Sequence, residues 1–252
     1  MDAPDLTGRI AVVTGASRGI GYFIARDMAA AGAHVVAVAR TVGGLEELDD
    51  EIKSEHARTG KGSATLVPLD LADMAGIDRL GGSINERWGK LDILVANAGV
   101  LGVIAPIGHV EAKVFEKVMN INVTSTWRLI RSVDPLLRKS DAGRAIVLSS
   151  GAAHSARAFW GPYAASKAAV EALVRSWADE TKNLPLRVNA VDPSATRTAM
   201  RAQAMPGEDP STLPHPSEIA ANILPLADPA LKETGRIWMA RYKTWTSYRM
   251  PE

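Results

Sequence analysis

Tyr163 and Lys167 stand four residues apart in Gly161-Pro162-Tyr163-Ala164-Ala165-Ser166-Lys167. On a helix that spacing puts both on one face, about 6 Å apart along the axis. An ammonium so close favours a phenolate and is expected to lower the tyrosine pKa from its ordinary value of about 10. The pair then reads as a general acid usable near neutral pH. Ser149 and Ser150 precede it, and Thr14-Gly15-Ala16-Ser17-Arg18-Gly19-Ile20-Gly21 lies near the N-terminus. A Tyr-x-x-x-Lys pair arises by chance on many helices. Joined to a glycine-rich turn after a first strand, it becomes a specific signal.

The elements that must position these residues alternate along the chain. Apolar runs at 9–14, 34–39, 64–69, 91–96, 145–148, 186–191 and 236–239 read as strands. Helices are expected over 20–31, 45–58, 77–88, 114–139 and 162–183. The fourth is expected to break near Pro135, and Pro162 suits the first turn of the last. Such alternation implies a parallel sheet covered on both faces, doubly wound through right-handed crossovers. The expected fold class is α/β, a single-domain Rossmann-type sheet of about seven strands spanning residues 1–252. No internal repeat, low-complexity tract or linker divides it. Pro206, Pro210, Pro214 and Pro216 crowd a stretch poor in regular pattern, so 194–216 reads as a substrate loop of restricted flexibility.

Val12-Val13-Thr14-Gly15 closes the first strand and Ile20 opens a helix. Between them Gly15, Gly19 and Gly21 let the backbone pass close to a phosphate, and the helix N-terminus offers free N–H donors. The spacing is Gly-x-x-x-Gly-x-Gly, not the commoner Gly-x-Gly-x-x-Gly, and a plain strand-to-helix turn is the competing reading. The second strand ends Val38-Ala39-Arg40-Thr41, with no acid to bind a ribose 2′-hydroxyl. Arg40 favours a 2′-phosphate, and Arg18 is placed to reach the same group. NADP(H) is therefore expected over NAD(H), unless both arginines are merely solvated.

Composition narrows the field further. The chain has 252 residues, 46% of them hydrophobic, which suits one large α/β domain. A net charge of +1 supplies no global drive toward nucleic acid or an anionic membrane. There is no cysteine, which excludes disulfides, thiolate-bound zinc and thiol catalysis. The five histidines are scattered without ligand spacing, so no metal is expected. The acidic start Met1-Asp2-Ala3-Pro4-Asp5 is unlike a signal peptide. No apolar run approaches the roughly 18 residues of a membrane span. A cytoplasmic enzyme is the expectation.

In order and spacing, residues 14–21, Asp70, Asn97-Ala98-Gly99, Asn122, Ser150, Tyr163 and Lys167 resemble the short-chain dehydrogenase/reductase family over essentially the whole chain. More narrowly the chain resembles the uncharacterised bacterial YciK-like oxidoreductases, through Lys139-Ser140-Asp141-Ala142-Gly143 and Arg197-Thr198-Ala199-Met200-Arg201 followed by Glu208-Asp209-Pro210. The resemblance implies that Gly15, Ser17, Arg18, Gly19, Ile20 and Gly21 bind cofactor, with Arg40, Asp70 and Leu71 at its adenosine end. Asp70 should meet the adenine amino group, although from the residues alone it is also a candidate helix N-cap. Asn97, Ala98 and Gly99 should line the cofactor and brace the sheet, and Pro193 and Thr198 should lie near the nicotinamide. Asn122 should hold a water that links Lys167 to solvent. Tyr163 should give a proton to the carbonyl oxygen as hydride arrives, and Ser150 should hydrogen-bond that oxygen. Lys167 should depress the tyrosine pKa and bind the nicotinamide ribose. Residues alone do not separate Ser149 from Ser150; the resemblance selects Ser150.

Two segments depart from the family's pattern. Asp192-Pro193-Ser194 stands where relatives have Pro-Gly, so a side chain enters a turn that favours glycine. The segment 238–245 replaces a usual Asp-Gly-Gly, and its aromatics with interleaved cations read as a packed tail at a subunit interface rather than a nucleic-acid surface. His154, Phe159, Trp160, Met200, Met205 and Leu213 are candidates for the substrate pocket, which would suit an apolar or aromatic carbonyl or alcohol. The expected activity is an NADP(H)-dependent oxidoreductase, a homodimer or homotetramer, with no nucleic-acid or membrane partner. A non-catalytic NADP(H) sensor or an interaction protein on the same fold is the alternative.

Overall fold

The structure, a computed structural model, describes residues 3–248. The chain lays down β1 (Ile10–Thr14), α1 (Gly19–Ala30), β2 (His34–Ala39), α2 (Val42–Thr59), β3 (Ser63–Pro68), α3 (Met74–Trp88) and β4 (Ile93–Ala96). Then follow α4 (Ala112–Met119), α5 (Ser125–Leu137), β5 (Arg144–Leu148), α6 (Ala152–Ser155), α7 (Gly161–Glu180) and β6 (Arg187–Asp192). The C-terminal part holds α8 (Ala199–Ala204), α9 (Pro216–Ile223), β7 (Ile237–Met239) and β8 (Thr244–Thr246).

All eight strands form one sheet in the order β3-β2-β1-β4-β5-β6-β7-β8. Every pairing is parallel except β7 with β8. Because successive side chains of a strand point to opposite faces, β1 feeds two apolar layers at once. Ala11 and Val13 join the layer that includes residues of α1, α2 and α9, while Ile10 and Val12 join that of α3, α5 and α7. Connections run to opposite sides of β1, so a crevice opens between the carboxyl ends of β1 and β4, where ligands bind in such sheets.

The seven expected strands are present, with ends displaced by two residues at most. The eighth was read as an interface tail. It pairs with β7 in the register Trp238↔Trp245, with the two indoles 5.0 Å apart. The tail's aromatic residues thus cover what would otherwise be an open sheet edge.

The helix expected over 114–139 also needs correction. It breaks not at Pro135, which lies inside α5, but at a π-helical turn over Asn120–Thr124. Such turns often mark functional positions. Here the turn brings Asn122 inward to 1% exposure. Its Oδ1 accepts from the Val100 N–H at 2.8 Å, and its Nδ2 donates to the Val100 carbonyl at 2.9 Å. The loop 194–216 likewise contains regular structure, the helix α8. Thr198 caps it by accepting from the Arg201 N–H, and the Arg201 guanidinium pairs with Glu208. At the opposite end of the sheet, Ser140 donates to the buried Asp92 at 2.6 Å and Arg9 pairs with Asp141, which gives residues 139–143 a structural task. No helix among the described residues is long and apolar enough to cross a membrane.

Candidate active site

A cavity of about 1090 Å³ opens at the carboxyl ends of the strands. Ligand pockets commonly span about 300–1000 Å³, so a dinucleotide and a second molecule both have room. Gly15, Ser17, Arg18, Gly19, Ile20, Arg40, Asp70, Leu71, Asn97, Ala98, Gly99, Ser150, Tyr163, Lys167, Pro193 and Thr198 all line it. Of the residues named from the sequence, Gly21 and Asn122 stand behind its wall.

The glycine turn has the features a phosphate cradle needs. Gly15 and Gly19 take φ of +69° and +61°, open to glycine and costly for other residues. The side chain of Arg18, at the N-cap of α1, makes no capping bond, and no acid occupies the first turn. An anion is thus the natural partner for those N–H groups. Gly21 stands behind the cradle, where space is tight. A Cβ there would lie 2.4 Å from both the Gly15 carbonyl oxygen and Asn97 Nδ2, so it permits close packing of helix against turn. Asn97 Nδ2 donates to the Thr14 carbonyl at 2.9 Å, and Thr14 Oγ1 accepts from the N–H groups of Asn97 and Ala98. These bonds lock the ends of β1 and β4 together.

Arg40 and Asp70 are not independent. The guanidinium lies 3.6 Å from the carboxylate, both side chains being about half exposed. Exposed pairs of this kind are worth about 0–1 kcal/mol, so Arg40 is easily diverted to an arriving phosphate. Asp70 is not the cap of α3. That cap is Asp73, which accepts from the Gly76 N–H, while Asp70 accepts from the Ala72 N–H at 2.9 Å.

At the other end of the cavity, Tyr163 and Lys167 share the buried face of α7. Burial pushes the Tyr163 phenol up to about 12; the Ser150 hydroxyl pulls it down and Asp192 pushes it further up. Burial brings the Lys167 ammonium down to about 8, partly offset by Glu171. Lys167 Nζ donates to the Leu148 carbonyl at 2.7 Å and lies 5.8 Å from the Tyr163 ring centre. The expected fall in the tyrosine pKa is therefore reversed. Removal of water from the phenolate costs more than a cation at that distance returns. A phenol so placed holds its proton throughout the neutral range.

The two serines separate clearly. Ser149 is 2% exposed and donates to the Glu171 carboxylate at 2.6 Å. Both line the cavity, but Ser150 is the less buried, and its hydroxyl is the one that pulls the Tyr163 phenol down. Asn122 cannot hold a water through its amide N–H groups, because both are used, on Val100 and on Ser166 Oγ. Its main-chain carbonyl accepts from Thr126 Oγ1 at 2.8 Å.

Ser194 occupies the left-handed region at φ +58°, the conformation for which glycine is suited. Asp192 Oδ1 holds the turn by accepting from the Ser194 N–H at 2.8 Å. Such a conformation costs a residue with a Cβ about 1–2 kcal/mol, of which glycine's greater chain entropy returns a part. Ser194→Gly should therefore raise stability by about 0.5–1 kcal/mol, a Tm increase of about 1–4 °C in a scanning calorimeter. An unchanged or lower Tm would show that the turn carries no strain.

The apolar end of the cavity is built around Tyr163. Leu101, Ala152, Ala164 and Ala204 pack with it, joined by Trp160 and Met200. Trp160 meets the Tyr163 ring edge-on at 6.0 Å. His154, Phe159, Met205 and Leu213, also named as pocket candidates, do not line the cavity; Phe159 is 54% exposed. The sequence reading missed Leu101, Val103, Val118 and Ile121 on the facing wall, and Arg157 and Lys117 beside them. The signal available for Val118 and Ile121 was their own spacing of three residues, which puts them on one apolar face of a helix. Among the described residues, no group of three or more His, Asp or Glu is placed to hold a metal ion.

A family model described as short chain dehydrogenase matches residues 9–209. The uncharacterized oxidoreductase YciK of Escherichia coli (strain K12) is 38% identical over 237 residues, which cover 94% of this chain and 93% of that one. Among solved structures, a short chain dehydrogenase from Shigella flexneri 2a str. 301 complexed with NADP superposes with a TM-score of 0.88. It is 38% identical, with 95% of this chain and 100% of that chain covered. Another, from Escherichia coli CFT073 complexed with NADPH, gives a TM-score of 0.88 at 37% identity, covering 96% and 100% of the two chains.

Proposed function

The chain belongs to the short chain dehydrogenase family, and we propose that it is an NADP(H)-dependent reductase of an apolar carbonyl compound, or in reverse the dehydrogenase of the matching alcohol. The observation that carries this reading is the convergence of Ser150, Tyr163 and Lys167 on one cavity whose other end is the glycine cradle. The cofactor supplies the hydride; the chain supplies placement and protons. Ser150 orients the carbonyl oxygen and stabilises the charge that builds on it. Tyr163, protonated at neutral pH, gives that oxygen its proton. Lys167, cationic below about 8, favours the phenolate left behind. In the alcohol-oxidising direction the same phenol must first lose its proton, which the lysine charge assists. Asn122 supports the pair by fixing Val100 and Ser166.

NADP(H) is the assigned cofactor. Gly15, Ser17, Gly19 and Ile20 would hold the pyrophosphate, with Gly21 behind them. Arg18 and Arg40 would take the 2′-phosphate, Asp70 and Leu71 the adenine, and Asn97, Ala98 and Gly99 the middle of the molecule. Pro193 and Thr198 would lie at the nicotinamide. The NADP and NADPH complexes of the two solved relatives support this reading. Each charged hydrogen bond to the extra phosphate is worth about 1.5–3 kcal/mol. NADPH should therefore bind at least about tenfold more tightly than NADH in a fluorescence titration, and equal affinities would remove the assignment. We also assign the exposed Phe115 and Trp127, on α4 and α5, to contact between copies in a homodimer or homotetramer.

The direct test follows NADPH consumption against ketones, aldehydes, diketones and quinones. Turnover of an apolar member is the expected result. NADPH binding with no turnover across the panel would favour a sensor on the same fold. Against a sensor stands the arrangement itself, because a lysine buried to 5% exposure beside a buried phenol is costly and binding alone does not need it.

A further inference from the structure

Glu171 is a buried acid that the mechanism above does not use. It sits on α7 one turn after Lys167 and is 4% exposed. Buried carboxylates persist where hydrogen bonds or charges hold them. This one has a partner on either side. Ser149 Oγ donates to Oε1 at 2.6 Å, and His154 Nε2 lies 3.0 Å from Oε2. Ser149 immediately precedes Ser150, and His154 belongs to α6, the short helix that follows Ser150. One carboxylate therefore joins the segment carrying Ser150 to the helix carrying Tyr163 and Lys167.

The surroundings define its electrostatic role. Lys167 lies one turn away on the same helix, and Glu171 favours its charged form. Burial holds the Glu171 carboxyl above its ordinary range and Asp192, at the end of β6, adds to this, while the Ser149 hydrogen bond and His154 pull it back down. Arg175, a turn further along α7, stacks over the Tyr248 ring at 4.9 Å from its centre. The Tyr248 hydroxyl is buried with no hydrogen-bond partner among the described residues, and burial, then Glu171, raises its pKa. His154 is the exposed member of the group, its side chain 54% accessible against 5% for that of Glu171. A cavity-side lysine thus has a buried carboxyl one turn behind it on the same helix.

We propose that Glu171 is a positioning residue for the catalytic set: its carboxylate clamps the Ser150 segment to α7 and keeps Lys167 cationic at the working pH. The clamp rests on the function proposed above for what it serves, but its electrostatic half exists without any cofactor. Lys167 and Glu171, four residues apart, are neighbours on one face of α7, so the charge of one acts on the other without a direct ion pair. Within the buried site the coupling is stronger than on a surface, because little water screens it. The clamp also accounts for the two adjacent serines. One is spent inside the protein on Glu171 so that the other points into the cavity.

The test uses Glu171→Gln, which keeps the size and one acceptor but removes the charge. Lysine side chains labelled with ¹³C are titrated by NMR in the cofactor-free protein, with Lys167 assigned by its loss in Lys167→Met. The wild-type signal should titrate near pH 8. In Glu171→Gln it should titrate lower by about one unit. The alkaline limb of the pH profile of kcat should move by the same amount, while Glu171→Asp should restore both toward wild type. A folded Glu171→Gln protein whose Lys167 titrates as in wild type overturns the proposal, whatever its kcat or Tm. Should that variant not fold, Ser149→Ala removes one donor from the carboxylate and should lower the Lys167 titration by a smaller amount; no movement there is equally fatal. A shifted NMR titration in a protein without turnover would uphold the clamp and reject the reductase, so the two readings fail separately.

Discussion

Tyr163→Phe is expected to lower turnover by about 10²–10⁴-fold, the usual contribution of a positioned general acid, while NADPH binding is retained. The substitution removes one hydroxyl and keeps the ring. That ring is 8% exposed and packs among Leu101, Ala152, Ala164 and Ala204, so the apolar contacts survive. Its edge-on contact with Trp160 survives as well. What disappears is the hydroxyl, its proton and its interaction with Ser150. No other phenol lines the cavity, and Lys167 Nζ is engaged by the Leu148 carbonyl. The measurement pairs steady-state kinetics with a cofactor titration. Turnover within about threefold of wild type would place the proton donor elsewhere and end the mechanism.

The second large effect belongs to Gly21. Gly21→Ala places a Cβ 2.4 Å from the Gly15 carbonyl and from Asn97 Nδ2. The Gly15 carbonyl is main chain, and its residue is tied to β2 by the Gly15 N–H bond to Val38 at 2.8 Å. Asn97 is tied in turn to Thr14. Neither neighbour can give way without moving a strand end. Overpacking costs about 1–3 kcal/mol, and a clash with main chain falls at the upper end. At about 2–4 °C per kcal/mol for a chain of this size, Tm should fall by about 6–12 °C. NADPH affinity should fall with it, because the cradle shifts with Gly15. A variant with wild-type Tm and wild-type affinity would show that α1 can slide to accommodate the methyl, and that Asn97 does not brace the turn.

Much of the architecture was legible because it is written in local patterns. The apolar runs that became β1 to β7 need only a period and a length to be recognised. The glycine turn needs only residues able to take positive φ and leave a helix N-terminus open, and Gly15 and Gly19 do so. The oxidoreductase family followed from the order of short motifs. Misreadings came where a distant partner decides a local outcome. The break at Asn120–Thr124 goes with the bonds that Asn122 makes to Val100, 22 residues earlier in the chain, and outweighs the more obvious Pro135. The C-terminal aromatics form a strand because β7 offers an edge to pair with.

The site divides in the same way. By itself the sequence determined which chemical groups are present, that Tyr163 and Lys167 share a helical face, and that Arg40 stands where an acid otherwise would. Those are matters of residue type and of spacing within one element. Tertiary structure alone decided that Ser149 is spent on Glu171, that Asp73 rather than Asp70 caps α3, and that Arg40 rests against Asp70. It alone placed Glu171 behind Lys167 as the link to Ser149 and His154. It also set the sign of the tyrosine shift, upward to about 12. The physical reason is common to all of these: a pKa, a hydrogen bond and an ion pair depend on what excludes water and what lies across the gap. Neither is a property of spacing along one chain.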